Sequence, residues 1–457
     1  VAPRPGARRY TGQVHTSTAL FTDHYELTMV DAALQAGTAN RQSVFELFAR
    51  RLSGARRYGV VAGTGRLLEA IERFRFTDAE LTFLSDTQVV RPETIDWLAN
   101  YKFSGDIWGY PEGEVFFPGS PVLTVESTFA EGVLLETLAL SILNSDSAIA
   151  TAASRMVNAA AGKPLAEMGS RRTGEHAAVT AARAAYIAGF NATSNLEAGR
   201  SYGVPTMGTA AHAFTLLHDS ERDAFAAQVA ALGVDTTLLV DTYNIERGVR
   251  NAIDIAGTDL GAVRIDSGDL PVVVAQVRRL LDDLGATNTR ITVTNDLDEH
   301  TVAALAASPV DSFGVGTSVV TGSGTPTMSM VYKLVARQND AGDWVSVAKN
   351  SEGKASVGGR KSVRRALDDY GVATAELIAV GDGPEGADEF ASTAQFAGHQ
   401  GRSVLVPLMR AGAVVPGNTG TDGIAAARER HRICVAELPP VAMSLTRGDP
   451  AIPTQYL

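Results

Sequence analysis

The sequence reads as an α/β protein, an open β/α barrel joined to a second α/β domain that is built from both chain ends. Three observations carry this reading. Between residues 202 and 318, five short apolar segments each end in polar or small residues, and a helical pattern follows each one. Buried strands alternating with amphipathic helices are the pattern of parallel β/α units. Residues 103–127 have a different texture, in which turn residues bracket alternating apolar positions as in β-strands. Finally, a chain of 457 residues that is 45% hydrophobic and 20% charged can bury two or three domain-sized cores.

In chain order, residues 1–14 are expected to be a loose, basic arm; no apolar core follows the arginines, so the arm is not read as a signal peptide. An N-terminal α/β domain is expected over 15–135, the barrel over 136–330, and a C-terminal segment over 331–457 that packs with the N-terminal domain. Residues 18–35 are predicted helical with Thr22 as cap, Phe45–Phe48 a strand, and Gly63–Phe74 an amphipathic helix. Two helices should follow, Glu131–Asn144 and an Ala-rich Ser147–Ala161. The five barrel segments are Tyr202–Met207, Thr237–Val240, Ala262–Ile265, Arg290–Val293 and Ser312–Val315; Leu165–Met168 and Ala192–Asn195 fit as earlier units. Between them, Ser220 caps a helix that stops at Gly233, Ile245, Val249, Ala252 and Ile253 line one helical face, and Val273, Val277, Leu280, Leu281 and Leu284 line another that stops at Gly285. His218 is expected on the helix after His212.

A net charge of -11 and a pI of about 5.3 argue against nucleic acid as a partner. The single cysteine, Cys434, cannot form an intrachain disulfide or a cysteine-built zinc site, which fits a reducing, cytoplasmic setting. No uninterrupted apolar run reaches the length of a membrane span, so no membrane is expected.

In a β/α barrel the reacting groups gather at the carboxyl ends of the strands, where the loops converge on one mouth. Here those ends deliver Arg171, Ser194, Thr209, His212, Asp241, Arg264, Asp266 and Gly316-Thr317. Taken singly, each has a plain structural alternative: Asp241 or Asp266 could cap a helix, either arginine could pair with those acids, and His212 could serve a loop. Together they supply an imidazole, carboxylates, two guanidiniums and a Gly-rich loop suited to phosphate. The residues alone therefore point to a barrel enzyme acting on a phosphorylated sugar and a small anion.

The motifs Thr22-Asp-His-Tyr25-Glu-Leu-Thr-Met29, Met168-Gly-Ser-Arg171-Arg172, Ala192-Thr-Ser194-Asn195, Gly208-Thr209-Ala-Ala-His212, Val240-Asp241-Thr-Tyr, Val263-Arg264-Ile-Asp266-Ser-Gly-Asp269 and Phe313-Gly-Val-Gly316-Thr317 resemble those of nicotinate phosphoribosyltransferases, which are type II phosphoribosyltransferases. The resemblance covers residues 15 to about 335. It implies formation of nicotinate mononucleotide and pyrophosphate from nicotinate and phosphoribosyl pyrophosphate, coupled to ATP hydrolysis, with Mg2+ beside the pyrophosphate. It further implies that Tyr25 stacks on the pyridine ring from the partner subunit of a homodimer. Arg264 and Thr209 would bind nicotinate, and Arg171 would lie near its ring or the pyrophosphate. Asp266 would hold the ribose hydroxyls, Gly316 and Thr317 the 5'-phosphate. His212 would be phosphorylated by ATP, with Asp241 as its orienting partner. Ser194 separates this activity from that of nicotinamide phosphoribosyltransferases, which place an Asp there. Quinolinate phosphoribosyltransferase and an inactive, ligand-binding barrel are the remaining alternatives.

Overall fold

The structure is a computed structural model that describes residues 17–349, 356–381, 383–384, 396 and 400–457. The expected arm at 1–14 lies outside the described residues. Six strands form one parallel sheet, in the spatial order Ala192–Thr193, Leu165–Glu167, Ser312–Val315, Arg290–Val293, Ala262–Ile265, Thr237–Leu239. It curls around a core of Leu238, Val263, Ile265, Ile291, Val293, Phe313 and Val315. The expected helices surround it, capped as their sequences require. Ser220 accepts from Asp223 N at the start of Glu221–Leu232, and Asn244 accepts from Arg247 N at the start of Ile245–Ala256.

The predicted first strand, Tyr202–Met207, is corrected. Asn195 caps a helix at Leu196–Tyr202, and Gly203, at φ 68°, ends it in the left-handed region that glycine tolerates. Only Thr206 then reaches the sheet, as a single bridge to Thr193 made by Thr193 N to Pro205 O and Met207 N to Thr193 O, both 2.9 Å. No strand pairing joins this bridge to Thr237–Leu239 among the described residues, so the barrel is open along that seam.

The second sheet has seven strands and draws on both chain ends. Gln42–Ala49, Asp106–Gly109 and Leu123–Thr128 pair antiparallel with Met330–Gln338 and Val406–Arg410, flanked by Trp344–Ser346 and Ala413–Val414. A four-stranded sheet built on Arg360–Leu367 and Ala373–Gly381 lies beside it.

Two of the predicted helices are one. After a short turn of helix at Phe129–Val133, Glu136–Ala159 runs unbroken for 24 residues. The polar run at Asn144–Ser147 reads in sequence as a break. In the fold those side chains reach outward: Asn144 binds Met328 N and Met330 N, Asp146 pairs with Arg66, and Ser147 meets Ala62 N. The stretch Phe129–Ala159 is long and apolar enough to cross a membrane, but 67% of its apolar window is buried inside the protein, as in a core helix. The N-terminal helix is His24–Gln35, capped by Asp23 rather than Thr22. Thr22 instead donates to Glu26, a buried carboxylate that also accepts from Thr137 N (2.9 Å) and Thr137 Oγ1. Burial outweighs those donors and pushes the Glu26 carboxyl up to about 7.

Arg365, fully buried, ties the late sheet to the early chain. It donates to Glu114 (2.6 Å), to Glu376 (2.9 Å) and to Val115 O (2.8 Å), and Arg402 holds the other Glu114 oxygen at 2.7 Å. Removing one member of such a network leaves buried charge uncompensated. Arg365→Met should therefore lower stability by about 3–5 kcal/mol in urea unfolding. A loss below about 1 kcal/mol would show that the network is dispensable to the fold.

Candidate active site

The parallel register brings all six strand ends to the same edge of the sheet. Following Thr237–Leu239 and Val240, Asp241 is buried; its Oδ2 accepts from Asp266 N (2.8 Å) and Ser267 Oγ (2.7 Å), while Oδ1 has no hydrogen-bond partner. That free oxygen faces His212 Nε2 at 4.0 Å, and Asp266 Oδ2 lies 3.9 Å from the same nitrogen. His212 opens the helix His212–Leu217, and its Nδ1 is 3.1 Å from Thr242 Oγ1. The imidazole is thus held at one nitrogen by a hydroxyl and turned toward two carboxylates at the other.

Arg264 projects from Ala262–Ile265 with its side chain 15% exposed. It donates to Thr294 Oγ1 (3.1 Å), Thr209 Oγ1 (3.3 Å) and Ala210 O (3.4 Å), and pairs with Asp266 at 3.4 Å. Thr294 also donates to Asp266 Oδ1. His212, Asp241, Asp266, Arg264 and Thr209 therefore form one connected cluster. The guanidinium keeps donor capacity for an incoming anion, since Arg carries five N–H groups.

Arg171, Ser194, Gly316 and Thr317 belong to a second group on the neighbouring strand ends. Arg171 and Ser194 are exposed, and Asn195 Nδ2 reaches Ser170 Oγ at 3.0 Å to join their loops. Gly316 precedes the short helix Thr317–Val320 and lies against the Met168-Gly169 backbone. A side chain at Gly169 would meet Val320 at 2.2 Å and Gly316 O at 2.9 Å, so only glycine lets these two loops approach.

Tyr25 is not in either group within its own chain. It sits at the start of His24–Gln35, beside Glu136 and Thr137, with its hydroxyl pushed up to about 12 by burial and by Glu136 and Glu26. His218 ends the His212–Leu217 helix instead of joining the next one, with Nδ1 2.8 Å from Phe214 O. Two residues escaped the sequence reading. Thr242 was hidden as an ordinary strand-end hydroxyl, and Glu167 as a residue within a short apolar run.

Similarity to known proteins decides the family. The nicotinate phosphoribosyltransferase N-terminal domain model matches residues 20–144. Across the full length of both chains, the sequence is 54% identical to nicotinate phosphoribosyltransferase pncB1 of Mycobacterium tuberculosis.

The chain belongs to the nicotinate phosphoribosyltransferase family. A Bacillus subtilis nicotinate phosphoribosyltransferase is 37% identical over 77% of this chain and 74% of its own. The crystal structure of human nicotinic acid phosphoribosyltransferase superposes with a TM-score of 0.78 at 25% identity, covering 95% of this chain and 97% of the human one. A Pyrococcus furiosus nicotinate-nucleotide pyrophosphorylase, at 22% identity and a TM-score of 0.75, shares the fold.

Within this cluster, Thr242→Val should release the His212 ring from its Nδ1 partner. The 15N spectrum of labelled histidine should then show a changed tautomer balance at His212. An unchanged spectrum would mean that the hydroxyl does not hold the ring.

Proposed function

We propose that this enzyme joins nicotinate to phosphoribosyl pyrophosphate, giving nicotinate mononucleotide and pyrophosphate, as a cytoplasmic step of NAD biosynthesis and salvage. The observation that carries the reading is the cluster around Arg264, where a guanidinium, an imidazole and two carboxylates meet at one barrel mouth. Arg264 and Thr209 bind the nicotinate carboxylate, the guanidinium supplying paired N–H donors. Asp266 accepts from the ribose hydroxyls, while Gly316 and Thr317 receive the 5'-phosphate. Arg171 lies near the nicotinate ring or the pyrophosphate. The pyridine nitrogen attacks the anomeric carbon as the bond to pyrophosphate breaks, through an oxocarbenium-like transition state. Fixed charges around the ribose then lower the barrier without a covalent sugar intermediate. Tyr25 stacks on the pyridine ring from the partner subunit of a homodimer, which accounts for its distance from its own strand ends.

ATP is the co-substrate, and His212 is the residue it phosphorylates. Asp241 and Asp266 lie 4.0 and 3.9 Å from its Nε2 and orient the ring. No group of three His, Cys, Asp or Glu side chains among the described residues could hold a metal by itself. Mg2+ keeps several waters and would arrive on substrate phosphates. The unpartnered Asp241 Oδ1 and the Asp266 carboxylate would hold it there, and it would neutralise pyrophosphate charge.

Nicotinate is favoured over nicotinamide by Ser194, since a carboxylate at that position would repel the acid. Pyrophosphate release measured with nicotinate, nicotinamide and quinolinate, with and without ATP, should be supported by nicotinate and raised by ATP. Ser194→Asp should lower kcat/KM for nicotinate roughly a hundredfold. Equal turnover of nicotinamide by the wild type, or an unchanged Ser194→Asp enzyme, would overturn this assignment.

His212→Ala should fold normally, because the side chain is largely outside the core, with 43% of it exposed. It should take no label from γ-phosphate-labelled ATP, lose ATP hydrolysis and keep at most a slow, ATP-independent synthesis. His218→Ala should retain the label. Phosphate found on His218, or on no histidine during coupled turnover, would move the phosphorylation site elsewhere.

A further inference from the structure

Glu167 is buried beneath the strand ends, and none of the roles above uses it. Its Oε2 accepts from Thr193 Oγ1 at 2.5 Å, and its Oε1 accepts from Gly169 N. Its own carbonyl accepts from Ser194 N at 2.8 Å. Thr193 Oγ1 in turn accepts from Asn195 N at 3.0 Å. One carboxylate therefore grips the backbone of the loop carrying Arg171 and, through Thr193, the loop carrying Ser194. The first loop is also fixed to the phosphate loop, because Met168 N donates to Val315 O (2.8 Å) and Gly169 packs on Gly316. Burial raises the Glu167 carboxyl, so the site retains an acidic group there against a desolvation cost. A nonpolar residue at this place in the strand would be the cheaper choice if only packing mattered.

We infer that Glu167 is a positioning residue for nicotinate selection, a clamp that holds the Gly169–Arg171 and Ser194–Asn195 loops at a fixed separation. The inference rests on the assignment of Ser194 to the nicotinate site, with Arg171 beside it. A glutamine can satisfy only one of the two donors. Its amide NH2 must face either Gly169 N, donor against donor, or Thr193 Oγ1, which then has no acceptor for its own proton. Thr193→Val removes the same link from the other side without changing side-chain size, and Thr193→Ser restores it.

Two measurements on the full-length enzyme separate the clamp from the reaction. Hydrogen exchange of the ligand-free protein reads the loops directly, and steady-state kinetics with nicotinate reads their effect. In Glu167→Gln and Thr193→Val, exchange over 168–172 and 193–196 should be faster than in the wild type. KM for nicotinate should rise roughly tenfold, the size expected for loss of one hydrogen bond to a charged group, with kcat changed less than about threefold. Thr193→Ser should recover most of both effects. Unchanged exchange in these loops would overturn the clamp. Faster exchange with an unchanged nicotinate KM, or an equal fall in kcat without a KM effect, would overturn its role in substrate positioning. A wild type inert toward nicotinate would sink the reading of the site, while the exchange result would still decide the clamp. If Glu167→Gln fails to fold, the paired Thr193 variants make the same test.

Discussion

One helix belongs to both hydrophobic cores, and the relation between the two halves of the molecule follows from it. The first half of Glu136–Ala159 gives Leu138, Ala139, Ile142 and Leu143 to the core under the antiparallel sheet. The second half gives Ile149, Ala150, Ala153 and Met156 to the barrel core. One unbroken helix cannot turn about its axis for one partner alone, so each core sets the rotation of the other. Its N-terminus is met by Glu26, whose carboxylate binds Thr137 and lies where the helix dipole favours negative charge. Tyr25 stands next to Glu26 on the same turn, so the end of the shared helix also sets where that ring is presented.

Much of this arrangement was legible in the sequence because it depends on local pattern. Apolar runs ended by Asp241, Asp266 or Gly316 mark strand ends, and Ser220 and Asn244 mark helix starts, whatever the rest of the chain does. The errors arose where a local signal had two meanings. Tyr202–Met207 has the composition of a strand, but Asn195 and Gly203 impose a helix on its first residue. Asn144–Ser147 has the composition of a loop, but Asn144, Asp146 and Ser147 find partners on neighbouring segments, so the helix continues through it.

The candidate cluster was readable in its residue types and not in its pairings. His212, Asp241 and Arg264 stand out because imidazole, carboxylate and guanidinium at strand ends suggest chemistry. Thr242 and Glu167 do not stand out, since a threonine beside an aspartate and a glutamate in a strand are common. Their importance lies in which atoms they meet across strands 26 to 30 residues apart, and no spacing rule reports that. The same limit applies to Arg365, whose partners Glu114 and Val115 lie about 250 residues away. Buried charge was placed there to join remote segments, and sequence periodicity is blind to such a join.

The open seam of the barrel has a mechanical consequence. Thr209 and His212 lie on one bank, beyond the single bridge at Thr206, whereas Asp241 and Thr242 lie on the other, beyond Thr237–Leu239. The banks are joined here by side-chain contacts, with no backbone ladder between them. The spacing of the imidazole and its carboxylate is therefore a matter of tertiary contact and not of strand pairing. Side chains alone set it, outside the backbone register that fixes the six strand ends.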